Sequence, residues 1–500
     1  MKNDTITMQA HCEYDHYKRD VEKVRDCVEG SAKVKRKTYN YLPHPSQVDQ
    51  TSDEAKHRYA EYIEGAEFDD QPKDTLQTLM GKMRIQESTI SLPERVGYLE
   101  TNADGDGMSL AASIEYAASN IIQVKYQVVI ADFQGLSGVD LETVSIADAE
   151  ELAARATLKH YTRENVINWH FARKNGKMQL TWICLLEKGS EFNIETRKAE
   201  EVKSYLILAL DENGDYYQQK IVDGGAATGE GERNYQTVGG SPLKFIPLEI
   251  ITDTEMPSGE MPKGEGFLAR ICNVALAKYR KSAQKDEFER ALSPTLMTKG
   301  WQRGDEETFK ELNQGRTYIA TGGNQVNNLP EGVEYDVLSV EGAVEPFQWS
   351  LEYADKKIIS MGGTAKQEQA NMTATEADIN ASEQNARLTS IADNLEGAFK
   401  RLVNYCLMFE GDIIVDTVMN TDAIEIDLPR DFATPKLSVE EVKSYMEMVM
   451  MGVMGNDEFD AVLKKGGWRD KSVNPADLEE MPPTNIVTQS RQKESQETQQ

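Results

Sequence analysis

The most conspicuous group of chemically capable side chains is a basic segment within an acidic chain. Residues 263–303 hold nine lysines and arginines against four acids, a local net charge of +5, whereas the 500-residue chain has a formal net charge of -29. Cations on a helix can neutralise phosphates of a nucleic acid or pair with carboxylates of a packed helix. We call this segment the basic island, and its cations are Lys263, Arg270, Lys278, Arg280, Lys281, Lys285, Arg290, Lys299 and Arg303.

A second candidate is the acidic turn Asn102-Ala103-Asp104-Gly105-Asp106-Gly107, which resembles the first half of a calcium-binding loop. Such loops end in a glutamate that binds the ion through both oxygens, and Ser113 stands at that position. The mismatch favours a tight Asp/Gly turn, and ion binding stays open.

Sequence motifs of common enzymes are absent. The chain has no phosphate-binding GxxxxGK[ST], no GxGxxG after a strand, no GxSxG and no HExxH. The six histidines lack ligand spacing, and the five scattered cysteines form no CxxC, which is typical of reduced thiols. We therefore expect neither an enzyme nor a metal or cofactor site.

The overall charge bears on the class of partner. A chain this acidic repels nucleic acid at long range, so its charge serves either solubility or a protein that handles DNA without gripping it. Composition does not choose between them. Five hundred residues predict two or more sub-domains, and no run of eighteen apolar residues exists that would cross a membrane.

The first half of the chain divides into a helical part and a β part. Apolar residues at helical spacing predict helices over 1–121, and alternation from Val124 onward predicts an antiparallel β meander over 122–252. Asn175-Gly176 and Asn213-Gly214 each predict a hairpin with a two-residue turn, because Asn-Gly accepts positive φ.

The second half predicts long helices separated by loops. A helix over 263–291 is followed by a Gly- and Asn-rich stretch with short strands, and then by a helix that begins at Pro346 and ends at Gly362-Gly363. A polar loop follows, and Thr373 with Glu376 forms a capping box that begins the longest helix. The Gln- and Ser-rich residues 481–500 lack apolar residues to bury and are expected to be disordered.

This order of elements resembles the portal family of tailed bacteriophages. The segment Leu292–Gly300 and the motif Met372-Thr373-Ala374-Thr375-Glu376-Ala377 carry the resemblance, together with the succession of helix, insertion, helix, loop and helix. It implies an α+β, portal-like fold with a helical and β wing over 1–262 and 374–435. It further implies stem helices at 263–291 and 344–362, a small α/β clip at 292–343, a tunnel loop at 363–373 and a short helical crown at 436–480.

The resemblance also implies a function. Portal subunits form a ring, expected to be dodecameric, at one capsid vertex, and viral double-stranded DNA passes through its channel. The implied partners are the terminase large subunit, the major capsid or scaffold protein and head-tail connector or adaptor proteins, with no membrane. The implied location is the virion, and the host cytoplasm during assembly. The alternatives are another head-tail adaptor or ring-forming virion protein and, less favoured because the phosphate loop is missing, a nucleotide-driven packaging enzyme.

Two sets of side chains are candidates for contact within such a ring. Those expected to meet DNA lie in the predicted tunnel loop, although a solvated loop is an equal alternative for Lys366: Lys366, Gln367, Gln369 and Asn371. Those on the first stem helix either touch phosphate transiently or pair with acids of a neighbouring subunit: Arg270, Lys278, Arg280, Lys281 and Lys285. Pairing between subunits is favoured, because helices packed side by side bury charge only when it is paired.

Overall fold

A computed structural model gives the fold of most of the chain. The described residues are 9–45, 50–84, 88–133, 155–174, 176–193, 197–222, 233–238, 240–254, 259–292, 295–313, 315, 328–338, 344–364, 374–411, 424–430, 432, 439–451, 455 and 459. The chain divides into two compact units, Met1–Arg430 and Asp431–Gln500. Of the predicted crown, 436–480, the structure describes 439–451, 455 and 459, and the whole predicted tail, 481–500, lies outside the described residues.

The first unit contains nine described α-helices, and the α+β prediction is confirmed. Their bounds are α1 Tyr14–Glu29, α2 Ser31–Arg36, α3 Asp53–Gly65, α4 Gln71–Met83, α5 Leu110–Val124, α6 Phe267–Leu292, α7 Asp305–Leu312, α8 Glu345–Ser360 and α9 Ala374–Phe409. In the second unit the described helix is α10, Val439–Met450, which exposes Met446 and Met448.

The described strands pair antiparallel with their neighbours. Their bounds are β1 Thr89–Ser91, β2 Tyr126–Phe133, β3 Ala156–Thr162, β4 Val166–Lys174, β5 Lys177–Asn193, β6 Lys198–Leu210, β7 Tyr216–Val222, β8 Asn234–Tyr235, β9 Thr237–Val238, β10 Ser241–Pro242, β11 Leu248–Thr252, β12 Thr295–Lys299, β13 Glu334–Leu338 and β14 Glu425–Asp427. The two larger sheets have the orders β11-β2-β3 and β4-β5-β6-β7-β8.

The strands between 126 and 252 therefore differ from a single meander. β4 to β8 do form a meander, but β11 returns to the first sheet and pairs with β2, Leu248 opposite Ile130. The reason is burial: seven of the eight β2 residues are buried, so this strand needs a partner on both edges and cover on both faces. The sequence pattern of β11 cannot name its partner.

The two predicted hairpins also differ from each other. Lys174 pairs with Lys177, so the first hairpin has a two-residue loop, as expected. The second hairpin closes at Leu210 and Tyr216 and has a five-residue loop instead. There the Asp211 carboxylate accepts hydrogen bonds from the backbone N–H groups of Asn213 and Asp215, which stabilises the longer loop.

The main core lies between the three-stranded sheet and helices α5 and α9. Ile121 from α5, Val129 and Ile130 from β2, and Leu395 and Phe399 from α9 are all essentially inaccessible to solvent. Burial of a side chain of this size contributes about 1.5–3 kcal/mol. This core includes α9 and, because α6 packs on α5, it also holds α6 in place.

One buried arginine determines how the chain enters α6. Arg163 is 4% exposed and stacks on the ring of Tyr17, with 4.0 Å from its guanidinium carbon to the ring centroid. Its Nη1 donates to the carbonyl oxygens of Val124, at the end of α5, and Gly264, just before α6. Arg163 thus holds the last turn of α5 and the lead into α6 together.

Candidate functional site: the α6–α8 helix pair

Helix α6 begins where the backbone is tightly packed. A side chain at Gly266 would place its Cβ 2.2 Å from the carbonyl oxygen of Gln123, so only glycine fits there. From this point one side of α6 is buried against α1, α4 and α5 through Leu268, Ile271 and Tyr279. The sequence predicts this helix over 263–291, and the structure has it at Phe267–Leu292, so the helix is confirmed but begins four residues later than predicted.

Helix α8 packs along α6 in the antiparallel direction. Phe347 at the start of α8 contacts Phe288 near the end of α6, with ring centroids 5.4 Å apart. Asp355 pairs with Lys278, and Gly363 lies against Ile271 near the start of α6. Residue numbers therefore fall along α6 as they rise along α8, so the chain goes out along one helix and returns along the other.

The segment that joins the two helices is a small α/β insertion. Its strands β12 and β13 pair with Thr295 opposite Leu338 and Lys299 opposite Glu334. Between them lies α7, where Phe309 is buried and Trp301 packs edge-on to it at 5.7 Å between ring centroids. Since β12 follows α6 and β13 precedes α8, the insertion begins and ends at the same end of the helix pair.

The other end of the pair is tied to the core by glycines and amides. Gly362 has φ +82° and ends α8, and a Cβ on Gly363 would lie 2.6 Å from Ile358 Cγ2. Gln384 of α9 donates to the carbonyl oxygen of Gly362 and accepts from Lys82 of α4, both at 2.6 Å. Burial lowers the pKa of Lys82. The end of α8 is thus hydrogen-bonded to both α4 and α9 through one glutamine.

The inward cation of the basic island is Lys278. Its Nζ lies 2.5 Å from Asp69 Oδ2 and 2.6 Å from Asp355 Oδ1, and Asp355 is only 6% exposed. Burial lowers the pKa of Lys278, but its hydrogen bonds to Asp355 and Asp69 outweigh that effect and the pKa is raised. Lys278 therefore has two carboxylate partners inside its own chain, an arrangement the sequence did not suggest.

The other predicted cations divide into paired and unpaired side chains. Arg280 donates to the carbonyl oxygen of Tyr41 at 2.7 Å, and Lys285 lies 3.4 Å from Glu289 on the same helix. Arg270 and Lys281 are exposed and make no hydrogen bond or ion pair with any residue that the structure describes. Arg270 also borders a cavity of about 590 Å³ between α6 and α9, with an apolar floor that includes Leu79, Ile121 and Ile391.

The candidate loop residues cannot be placed in this geometry. Lys366, Gln367, Gln369 and Asn371 lie outside the described residues, as does the capping residue Thr373. The flanks are described: the backbone N–H of Thr364 donates to Thr75 Oγ1 at 3.0 Å, and α9 begins at Ala374. The prediction that these four side chains meet DNA stays a prediction.

Two aromatic residues of α8 were missed by sequence reasoning. Trp349 and Tyr353 are 66% and 55% exposed, and their rings stack with centroids 5.5 Å apart and 16° between the planes. Their spacing of four residues on a short helix was a usable signal, because it places both on one face.

The acidic turn at 102–107 is a closed backbone turn. Asn102 Oδ1 accepts hydrogen bonds from the N–H groups of Gly105 and Gly107, and Asp104 Oδ1 accepts from Asp106 and Met108. Those oxygens thus serve the turn itself, as expected for a tight Asp/Gly turn. Among the described residues no cluster of three or more metal-ligating side chains occurs, and no described helix is long and apolar enough to cross a membrane.

Comparison with known proteins yields one family match and several distant structures. Residues 268–410 match a domain of unknown function, DUF4055, and this segment runs from the second residue of α6 to just past the end of α9. No curated protein matches the chain. The match covers less than a third of the sequence, yet it coincides with the helix pair, the insertion and the helix that follows.

Among the solved structures similar to the chain are three from gene transfer agent particles. One is the virion of a native particle, with a TM-score of 0.40 and 12% identity over 78% of this chain and 88% of the other. Two others are necks, of an empty particle computed with C6 symmetry and of a native particle computed with C12 symmetry. Each neck has a TM-score of 0.37 over the same shares of the two chains, with 10% and 11% identity, respectively. Similarity at this level assigns no function to the chain.

Proposed function

We propose that this chain is the portal subunit of a phage-like particle, a non-enzymatic protein that forms a ring around double-stranded DNA. The observation that carries the proposal is the α6–α8 pair. Two antiparallel helices are closed at one end by an α/β insertion and tied at the other end to the core, and the long helix α9 follows a short connecting segment. This order of elements supports the proposal, because the portal resemblance implies a stem, a clip, a tunnel loop and a wing helix in the same order.

The electrostatics suit a conduit. Each phosphate that a fixed cation neutralises adds salt-dependent grip, so a channel that lets DNA slide should present few unpaired cations. The chain has a net charge of -29, and Lys278, at the middle of its most basic segment, is occupied by two carboxylates. The basic island thus contributes less free positive charge than its composition suggests.

Partners and location follow from the proposed role. In this proposal the insertion between α6 and α8 docks the terminase large subunit during packaging and head-tail connector or adaptor proteins afterwards. The remainder of the ring contacts the major capsid or scaffold protein. The subunit assembles in the host cytoplasm and remains in the virion, at one vertex of the capsid.

Native mass spectrometry and negative-stain electron microscopy of the purified chain test the proposal. We expect a closed ring of about twelve copies with a central hole wide enough for duplex DNA, because a conduit must surround the DNA on all sides. A ring without a through-channel or an open filament would contradict it and favour the adaptor alternative. In the same preparation we expect no ATP hydrolysis above the buffer rate, and measurable turnover would favour a packaging enzyme.

A further inference from the structure

Helix α8 presents an acidic and aromatic face to solvent. Glu345, Trp349, Glu352 and Tyr353 all lie on the side opposite Ala354 and Ile358, which are buried. The exposed Lys356 lies on the same side, one turn after Glu352, so this side of α8 has two glutamates against one lysine. Neither glutamate makes an ion pair with a described residue, and the stacked Trp349 and Tyr353 rings are more than half exposed. Two large adjacent aromatic side chains on a helix surface are typical of the centre of an interface. We call Glu345, Trp349, Glu352 and Tyr353 the acidic aromatic face.

Helix α6 presents a different face to solvent. Arg270, Asn273, Ala277, Lys281 and Gln284 recur at intervals of three or four residues and are all exposed. None of these five residues is a carboxylate, and Glu287, one turn beyond Gln284, is already paired with Arg58 of α3. The two cations of this basic face, Arg270 and Lys281, have no ion-pair partner among the described residues. Small Ala277 lies between them, which would allow another helix to approach closely. The two faces are separate patches on neighbouring helices, and their charges are opposite.

Because α6 and α8 are antiparallel, two contacts between them show which residues of the two faces lie at the same height along the helix axes. The Lys278–Asp355 ion pair and the Phe288–Phe347 contact bracket one stretch of each helix. Lys281 lies inside that stretch on α6, and Glu352 and Tyr353 lie inside it on α8. In a ring whose axis runs parallel to the two helices, neighbouring copies lie at the same height along that axis, so Lys281 of one copy would meet Glu352 and Tyr353 of the next.

We propose that the acidic aromatic face of α8 packs on the basic face of α6 in the next copy of this chain. The contact would pair Lys281 with the Glu352 carboxylate and place its ammonium against Tyr353, while Trp349 packs beside Gln284. Two different faces of one chain make a head-to-tail contact, which closes into a ring when its rotation divides a full turn. The inference rests on the proposed ring and adds the surfaces that would build it.

Two charge reversals test this contact in the full chain. Lys281→Glu places two glutamates together in every contact between copies, and Glu352→Lys places two lysines together. Each variant alone should lose ring at least about tenfold at fixed protein concentration, because like charges facing each other across an interface disfavour association. When mixed in equal amounts the two variants should recover the ring with alternating subunits, and native mass spectrometry can count them if one variant is isotopically labelled.

Matched controls make the outcome decisive. Lys177→Glu reverses an exposed charge at the β4–β5 turn, away from the α6–α8 pair, and should assemble like the wild type. Thermal unfolding followed by circular dichroism checks that each variant folds. If the wild type forms rings and either reversal assembles equally well, or if the mixture assembles no better than its components, the contact is refuted while the ring survives. A wild-type chain that stays monomeric contradicts both proposals.

Discussion

The α6–α8 pair has an inward side, which packs on the rest of the chain, and an outward side, which faces solvent. Both sides contain lysine and aromatic residues, but only the inward side provides partners for them. On the inward side Lys278 lies between two carboxylates, and in the contact between the two helices Phe288 packs on Phe347. On the outward side Lys281 has no described ion-pair partner, and Trp349 and Tyr353 stack on each other in solvent. Composition does not separate the two sides. The difference is whether the chain itself supplies the partner, and this distinction leads us to assign the outward side to another molecule.

The largest effect should come from the inward cation. Lys278→Met leaves Asp355, which is 6% exposed, and Asp69 beside it without their cation. Leaving a buried charge unpaired costs about 3–5 kcal/mol of unfolding free energy. Urea unfolding of the first unit, followed by tryptophan fluorescence, measures it. Lys281→Met is the matched control three residues away and should change stability by less than about 0.5 kcal/mol. Equal losses of unfolding free energy for the two variants would contradict the difference between the inward and outward lysines.

A buried histidine extends the comparison, because it is hydrogen-bonded to neutral side chains, whereas Lys278 is paired with carboxylates. His160 in β3 is bonded to Ser113 Oγ at 2.6 Å and Gln127 Nε2 at 2.7 Å, and burial lowers its pKa to about 4. Because the pKa is lower in the folded state, the unfolded chain takes up the proton first as the pH falls. The stabilisation is fully present above about pH 6.5 and should be lost between there and pH 4, by at most about 3 kcal/mol.

Chemical unfolding at several pH values measures this loss, with His160→Gln as the comparison. The variant should show a shallower decline between pH 6.5 and pH 4 than the wild type. His57, which is exposed on α3, provides a control, since His57→Gln should leave the decline unchanged. A wild-type curve that is parallel to that of His160→Gln would show that this ring is not the titrating group.

The smallest effects separate the two aromatic pairs. Phe288→Ala removes a half-buried ring that α8 packs against, so we expect a loss of about 1–2 kcal/mol, below the cost of a fully buried phenylalanine. Trp349→Ala should change the stability of the single subunit by less than about 0.5 kcal/mol, because its ring packs mainly on another exposed ring. Thermal unfolding of both variants under conditions that keep the chain monomeric makes the comparison. A larger loss for Trp349→Ala would mean that its ring belongs to the fold.

Local signals in the sequence were sufficient for the helices and their ends. The apolar stripe through Leu268 and Ile271, Pro346 in the first turn of α8 and Gly362-Gly363 after its last turn predicted α6 and α8 to within a few residues. Each of these signals acts between residues at most a few positions apart, where spacing alone determines the geometry.

Partners that are distant in the sequence could not be predicted in the same way. Lys278 was identified as a candidate, but its two carboxylates lie 209 and 77 residues away, and nothing in their local sequence marks them. For the same reason the pairing of β11 with β2 was missed. Such features depend on which segments meet after folding, a property that one sequence without homologues does not reveal. The five-residue loop was missed for a different, local reason: the Asn213-Gly214 pair drew attention away from the Asp211 side chain that closes the loop.

Helix α8 also has a mechanical meaning. It is 16 residues long, so it spans about 24 Å from the insertion to Gly362, and an unbroken α-helix is stiff over that distance. Its far end is joined to the insertion, and its near end is clamped through Gln384 to α4 and α9. A force applied at Pro346 along the axis of α8 is therefore transmitted to Gly362 with little loss. The polar segment after Thr364 therefore follows directly on a stiff helix.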